Sequence, residues 1–496
     1  MAKNIMLQGT ASSVGKSVLT AALCRILNSE GLKVTPFKSQ NMALNSFVTF
    51  DGKEIGRAQA VQAEAARIQP RVEMNPVLLK PTSDIGSQVI INGVVYKNMK
   101  ASEYYQEKDS IKKIILDSYN KLDLEFDAIV IEGAGSSAEI NLRHNDIVNM
   151  GLAEMVNSPV ILVGDIDKGG VFASIYGTIM LLSEEDRDRI KGFIINKFRG
   201  DIEILNPGIK KIEELVKKPC LGVVPYIEIN IDDEDSVTTR FHNSSDGEII
   251  IGVIKTPYIS NFSDFTPLEL EKGVSVKYVY NKQQFEDVDL IILPGSKNTI
   301  NDLRHILDNE LDKEIYKKHK QGIPIIGICG GYQMLGLEIK DPYCVESSIE
   351  RINGLGLLDI KTTMLKKKST RQVNGKTLNY LKEFNIRENE QVTGYEIHMG
   401  DTNIVGTSKP VIELKDGRLD GAVNEDGNVL GTYLHGVFDN DSFRRNIISM
   451  LRKKKNSKNY NCLQNYKDFK EREYDKLADA VRKNVNIEAI KKIMGL

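Results

Sequence analysis

Short apolar runs bounded by glycine, proline and charged residues recur along this chain, and between them apolar positions return every three to four residues. The runs at 5–8, 34–37, 128–131, 160–163, 192–195 and 221–224 are too short for helices and apolar on both faces, so they read as buried strands. The stretches between them carry the helical period, beginning with 18–28. The same alternation resumes with runs at 249–254, 290–293, 324–328 and 429–434. Strand and helix in turn predict two α/β units, each with a mainly parallel sheet. Between 228 and 248 the pattern breaks down into Asp232-Asp233-Glu234-Asp235 and Asn243-Ser244-Ser245-Asp246-Gly247, the composition of a linker. The stretch 361–390 is polar and lysine-rich and reads as a surface hairpin or insertion. From about residue 452 the chain is basic, then helical in pattern at 477–485 and 487–494. These features divide it into 1–235, 248–450 and a helical tail, 451–496.

A chain of 496 residues has room for two or three separate cores. With 41% hydrophobic and 27% charged residues and a formal charge of -2, it offers no electrostatic case for nucleic acid or an anionic membrane as partner. No apolar stretch approaches the roughly 20 residues of a membrane span. Met1-Ala2-Lys3-Asn4 runs straight into a strand without a signal-peptide core. The five cysteines are odd in number and scattered, with no CxxC pair, which argues against a disulfide framework or zinc cluster. A reduced, cytoplasmic setting is expected.

Two motifs change the picture from fold to chemistry. Gly9-Thr10-Ala11-Ser12-Ser13-Val14-Gly15-Lys16-Ser17 follows the first strand and opens a helix. It is a phosphate-binding loop one residue longer than the usual GxxxxGK[ST]. Its backbone N–H groups can wrap phosphates, Lys16 can reach the terminal ones and Ser17 can hold Mg²⁺, so a nucleoside triphosphate is expected. Glu132 lies just past the run 128–131, at the rim where a second metal ligand would stand; the alternative is a carboxylate capping the next turn. Lys38 follows the run 34–37 and either adds positive charge at that rim or is an ordinary solvated lysine. Asn196, ending the run 192–195, could hydrogen-bond a base edge.

The second motif is Gly327-Ile328-Cys329-Gly330-Gly331-Tyr332-Gln333, between a strand and a helix about three hundred residues downstream. A cysteine at such a glycine-flanked turn is built as a nucleophile elbow: the helix N-terminus lowers a thiol pKa and its free N–H groups hold an oxyanion. Its partner base should be one of the six histidines. His435 ends the run Gly431-Thr432-Tyr433-Leu434, and His398, in Gly394-Tyr395-Glu396-Ile397-His398-Met399-Gly400, competes with it.

The extended loop, Glu132 and the region of Asn196 resemble the dethiobiotin synthetase family of ATP-dependent ligases. Longer strings resemble the cobyric acid synthase family: Lys38-Ser39-Gln40-Asn41-Met42-Ala43-Leu44-Asn45-Ser46, Met74-Asn75-Pro76-Val77-Leu78-Leu79-Lys80-Pro81 and Gly164-Asp165-Ile166-Asp167-Lys168-Gly169-Gly170. The cysteine region is similar to class I glutamine amidotransferases. These resemblances imply a flavodoxin-like glutaminase domain after the P-loop domain. In it Cys329 would be the nucleophile, His435 the base, and the amides of Gly330 and Gly295 the oxyanion donors. Nucleotide contacts would come from Gly9, Thr10, Gly15, Lys16, Ser17, Lys38 and Asn196, and metal contacts from Ser17 and Glu132. The implied activity is ATP-, Mg²⁺- and glutamine-dependent amidation of the b, d, e and g carboxylates of adenosylcobyrinic acid a,c-diamide, a corrinoid. The nearest alternative is the a,c-diamide synthase of the same pathway. The other is a P-loop regulatory ATPase with an inert glutaminase-like module, although Thr10 and Ala11 stand where such ATPases usually carry a second lysine. In one respect the chain departs from many class I amidotransferases: His435-Gly436-Val437 has no acid two residues past the histidine. Asp439 or a backbone carbonyl would then orient the imidazole.

Overall fold

A computed structural model describes residues 1–81, 86–231, 247–457 and 465–496, which fall into two compact units. The first comprises 1–42, 54–234 and 469–496; the second comprises 43–53 and 235–468. Most of the stretch read as a linker, 232–246, lies outside the described residues, as do His242 and Cys462.

The first unit is built on a six-stranded, wholly parallel sheet ordered Cys220–Pro225, Ile190–Phe198, Val160–Asp165, Lys3–Gly9, Ala128–Glu132, Val34–Phe37. Its strands are continuous apolar runs because helices cover both faces, leaving no water-facing side to encode. Lys3–Gly9 is central, and the phosphate loop leaves its C-terminal end to start the helix Lys16–Ser29. A second sheet, Gln40–Met42, Val77–Pro81, Gly86–Ile91 and Val94–Lys100, was not foreseen.

The expected tail helices form as Tyr466–Asn484 and Ile487–Met494, but the tail does not stand apart as the three-part division had it. Tyr474, Leu477, Val481, Ile490 and Met494 bury themselves in the core of the first unit. Arg25, fully buried on the helix after the phosphate loop, bonds Glu471 at 2.7 Å and Asp475 at 2.8 Å. Two amphipathic helices have too little apolar surface for a core of their own, so they complete an existing one.

The second unit has a six-stranded sheet ordered Val274–Val279, Ile249–Ile254, Leu290–Leu293, Ile325–Ile328, Val429–Thr432, Ala422–Val423. The first five strands are parallel in the order 2-1-3-4-5, the flavodoxin-like winding, and the last is antiparallel. In such sheets ligands bind beyond the C-terminal strand ends, where the winding changes direction. The lysine-rich stretch is indeed part of a hairpin, Ile360–Thr377 against Gln391–Ile404. Its second strand does more than decorate the surface, because it carries Tyr395 inward and His398 to a half-buried position. Among the described residues no helix is long and apolar enough to cross a membrane.

Candidate active sites

In the first unit the phosphate loop is held open by its own glycines. Gly15 has φ 99°, and a Cβ there would come within 2.1 Å of the Asn196 side-chain nitrogen. Gly9 is equally confined: a Cβ would stand 2.8 Å from Lys16 Nζ. The Thr10 N–H donates to the Val163 carbonyl at 3.0 Å, tying the loop to the neighbouring strand. Lys16, buried, spans the loop by donating to the Ala11 carbonyl at 3.0 Å and the Gly135 carbonyl at 2.9 Å. Asn196, expected at a base edge, donates instead to the Val14 carbonyl at 2.8 Å, so this amide braces the loop.

Glu132 ends its strand in the middle of this group. Its Oε1 accepts from Ser17 Oγ at 2.8 Å and from Lys38 Nζ at 2.9 Å, while Gln62 donates to Oε2. Lys38 is therefore a buried partner of Glu132, in place of the solvated lysine that was the alternative. A hydroxyl and a carboxylate oxygen facing each other beside a phosphate loop fit Mg²⁺, which takes few protein oxygens and fills its octahedron with phosphate and water. Among the described residues there is no group of three or more His, Cys, Asp or Glu side chains gathered for a metal. Alongside the loop opens a cleft of about 850 Å³, lined by Thr10, Ser12, Gly135, Ile140, Leu142 and Arg143 among others. Met42, Ile140, Leu142 and Leu181 stand exposed around it.

In the second unit Cys329 follows the strand Ile325–Ile328 and caps the short helix Gly330–Met334. Its φ of 50° and ψ of -105° lie outside the regions a side chain favours, a strain on the order of 1–3 kcal/mol that the surrounding packing must hold. The flanking glycines make the turn possible: a Cβ at Gly331 would approach the Leu293 carbonyl oxygen to 2.0 Å. The Gly330 amide opens the helix, where no earlier turn offers it a carbonyl. Gly295 lies against the histidine, since a Cβ there would stand 2.9 Å from His435 Cε1. Asp302, fully buried, steadies this loop by accepting from Ser296 Oγ, Thr256 Oγ1 and the Tyr258 N–H.

His435 is buried, and its Nδ1 meets Asp264 Oδ2 at 2.6 Å. The other Asp264 oxygen accepts from the Gly436 N–H at 3.0 Å, so both carboxylate oxygens fix this turn. Asp264 replaces Asp439 and the backbone carbonyl as the group that orients the imidazole. It comes from the turn Phe262–Phe265, after the first strand of the sheet, 171 residues before His435. Nothing local in Asn261-Phe262-Ser263-Asp264-Phe265 pairs this acid with His435; the winding of the sheet does. Burial by itself would lower the His435 pKa, but the Asp264 carboxylate and then the Cys329 side chain raise it from 6.5 to about 10. The arrangement is an imidazole favoured in its protonated form, set between the Cys329 side chain and the Asp264 carboxylate.

His398, the competing base, is placed differently. Its ring stacks on Tyr433 at 3.7 Å and its Nδ1 bonds the Gly400 carbonyl at 2.7 Å. Burial pushes its pKa down to about 4, so it is neutral at physiological pH.

Comparison with known proteins accords with both halves. A CobQ/CobB/MinD/ParA nucleotide binding domain matches residues 5–236, and a CobB/CobQ-like glutamine amidotransferase domain matches residues 250–443. The chain is 53% identical over 502 residues to the cobyric acid synthase of Thermoanaerobacter sp. (strain X514), covering 100% of this chain and 99% of that one. It is 54% identical over 503 residues to the cobyric acid synthase of Alkaliphilus metalliredigens (strain QYMF), with 99% of each chain covered. Against that of Clostridium botulinum (strain 657 / Type Ba4) the identity is 53% over 502 residues, with 100% of each covered. With both domains in order and kinship of this depth from end to end, the chain belongs to the cobyric acid synthase family.

Proposed function

We propose that this chain amidates corrinoid carboxylates, drawing activation from ATP in its first unit and ammonia from glutamine in its second. The observation that carries the reading is the presence, in one chain, of a phosphate loop backed by Glu132 and a Cys329–His435–Asp264 arrangement.

In the second unit the Cys329 thiolate attacks the side-chain carboxamide carbon of glutamine. The oxyanion that forms faces the amides of Gly330 and Gly295. His435, held as imidazolium by Asp264, gives its proton to the departing nitrogen, and ammonia leaves. His435, now neutral, takes a proton from water, which cleaves the thioester to release glutamate and restore the thiolate.

In the first unit an acceptor carboxylate takes the terminal phosphoryl group of ATP, and ammonia then displaces phosphate to leave the amide. Activation is needed because a free carboxylate does not react with ammonia. Supply from glutamine is needed because ammonia in water near neutral pH is almost wholly ammonium. Lys16 would follow the charge as it moves onto the leaving oxygen. Mg²⁺, when held by Ser17 and Glu132, would neutralise phosphate charge. The acceptors we assign are the b, d, e and g carboxylates of adenosylcobyrinic acid a,c-diamide. The cleft beside the loop supports this reading, because its apolar rim suits a large macrocycle whose edge carries the carboxylates.

The test is mass spectrometry of the product formed from that acceptor with ATP, Mg²⁺ and glutamine. Conversion at b, d, e and g is expected. Amidation of cobyrinic acid only at a and c would instead make the chain an a,c-diamide synthase.

A further inference from the structure

In the first unit the helix Arg57–Ala65 packs against the helix Lys16–Ser29, which starts at the phosphate loop. That packing sets Gln62, fully buried, beside Glu132. The two ends of its amide are used unequally. Nε2 donates to Glu132 Oε2 and, at 3.4 Å, to the Ser17 carbonyl. Oε1 is closed off from solvent and meets no donor among the described residues. Turning the amide over would not help, because Oε1 would then face a carboxylate and a carbonyl, both acceptors. A buried carbonyl oxygen without a donor is costly, and native structures seldom leave one without a purpose.

The two oxygens of Glu132 divide in the same way. Oε1 is shared by Ser17 Oγ at 2.8 Å and Lys38 Nζ at 2.9 Å, while Oε2 is held by Gln62. A cation set between Ser17 and Glu132 competes with those donors for Oε1, and the amide keeps its hold on Oε2. The same cation answers the unmet oxygen of Gln62. Phosphate oxygens of a nucleotide cannot, since near neutral pH they only accept hydrogen bonds. Water on Mg²⁺ can, because the ion keeps several waters and its charge makes their O–H groups strong donors. In Ala58-Gln59-Ala60-Val61-Gln62-Ala63 nothing distinguishes this glutamine; its neighbours in space do.

We propose that Gln62 is a positioning residue for the Mg²⁺ of the nucleotide site, holding Glu132 through Nε2 and accepting from a metal-bound water through Oε1. The proposal rests on the reading of the first unit as a Mg²⁺–nucleotide site and is independent of which acceptor is amidated. Gln62 needs no contact with the nucleotide to do this. Groups that orient a metal's ligands in this way are typically worth 10- to 100-fold in metal affinity.

The experiment is calorimetric binding of the β,γ-imido analogue of ATP at rising Mg²⁺, for wild type, Gln62→Met and Gln62→Leu, with thermal unfolding of each in the absence of metal. Methionine keeps the reach of the side chain and loses donor and acceptor together. In both variants the Mg²⁺ concentration that gives half the gain in analogue affinity should rise roughly 10- to 100-fold, while affinity without Mg²⁺ stays within about twofold. Unfolding midpoints without metal should stay within about 4 °C of wild type, because the bond lost to Glu132 is offset by removal of the unmet carbonyl. An amide that serves the fold alone gives the reverse, a lowered midpoint and an unmoved Mg²⁺ requirement, and that result would overturn the proposal. So would failure of both variants to fold. A wild type whose affinity for the analogue does not rise with Mg²⁺ refutes the metal reading itself, before any variant is measured.

Discussion

Asp264→Asn removes one charge from the buried centre of the glutaminase site and little volume. Its cost follows from what Asp264 now does. The rise of His435 from 6.5 to about 10 corresponds, at about 1.4 kcal/mol per pH unit, to roughly 5 kcal/mol of preference for the imidazolium. Burial opposes that preference, and the Asp264 carboxylate, with its charge and its hydrogen bond, is a principal support of it. Asparagine cannot replace it. The carboxylate accepts from both His435 Nδ1 and the Gly436 N–H, whereas a carboxamide turns an NH₂ toward one of these donors. Glutaminase kcat should therefore fall on the order of 100-fold, while ammonium-driven synthesis stays intact as a control on the fold. The sign of the pH effect is set by the raised value. Imidazolium is complete below 6.5 and is lost as pH rises through about 10, so the alkaline limb of wild type should lie near that value. The stability the pair contributes disappears over the same interval. In the variant the limb should move to lower pH, because the charge that holds the proton on His435 is gone. Glutamate release measured across this range reads both effects. A loss under about threefold with an unmoved limb would refute the role given to Asp264.

Two further outcomes follow from the same geometry. Lys16→Ala should abolish synthesis from glutamine and from ammonium alike, measured as ADP and amide formed, because Lys16 spans the loop from the Ala11 carbonyl to the Gly135 carbonyl; synthesis retained from ammonium would contradict the site. His398 is held neutral by burial until about pH 4, whereas an unfolded histidine takes up its proton near 6.5. Stability should thus fall as pH drops through that window, by up to roughly 3 kcal/mol, and His398→Gln should flatten the difference in urea midpoints measured across it.

What the sequence made legible was local. Strands buried on both faces betray themselves as uninterrupted apolar runs, and the phosphate loop and the cysteine elbow are contiguous strings whose glycines are demanded by close approach. The sheet from Gln40 to Lys100 escaped notice because its last strand, Val94–Lys100, is largely exposed and has no apolar face to read. The strand Ile360–Thr377 was legible only as a polar hairpin for the same reason. Asp264 was illegible for a different reason: its partner lies 171 residues away, and only the winding of the sheet brings them together. The docking of the tail was illegible likewise: its apolar residues join a core built far upstream, and the carboxylate partners of buried Arg25 lie at the far end of the chain. Residues 43–53 follow strands of the first unit and give no sign in sequence that they are counted with the second.

The most direct measurement compares Cys329→Ala with wild type for amide formed on the corrinoid, once with glutamine and once with ammonium as nitrogen source. Glutamine-driven synthesis should vanish in the variant and ammonium-driven synthesis should match wild type, because the thiol makes ammonia and does not touch the acceptor. Synthesis from glutamine that survives the substitution would contradict the account.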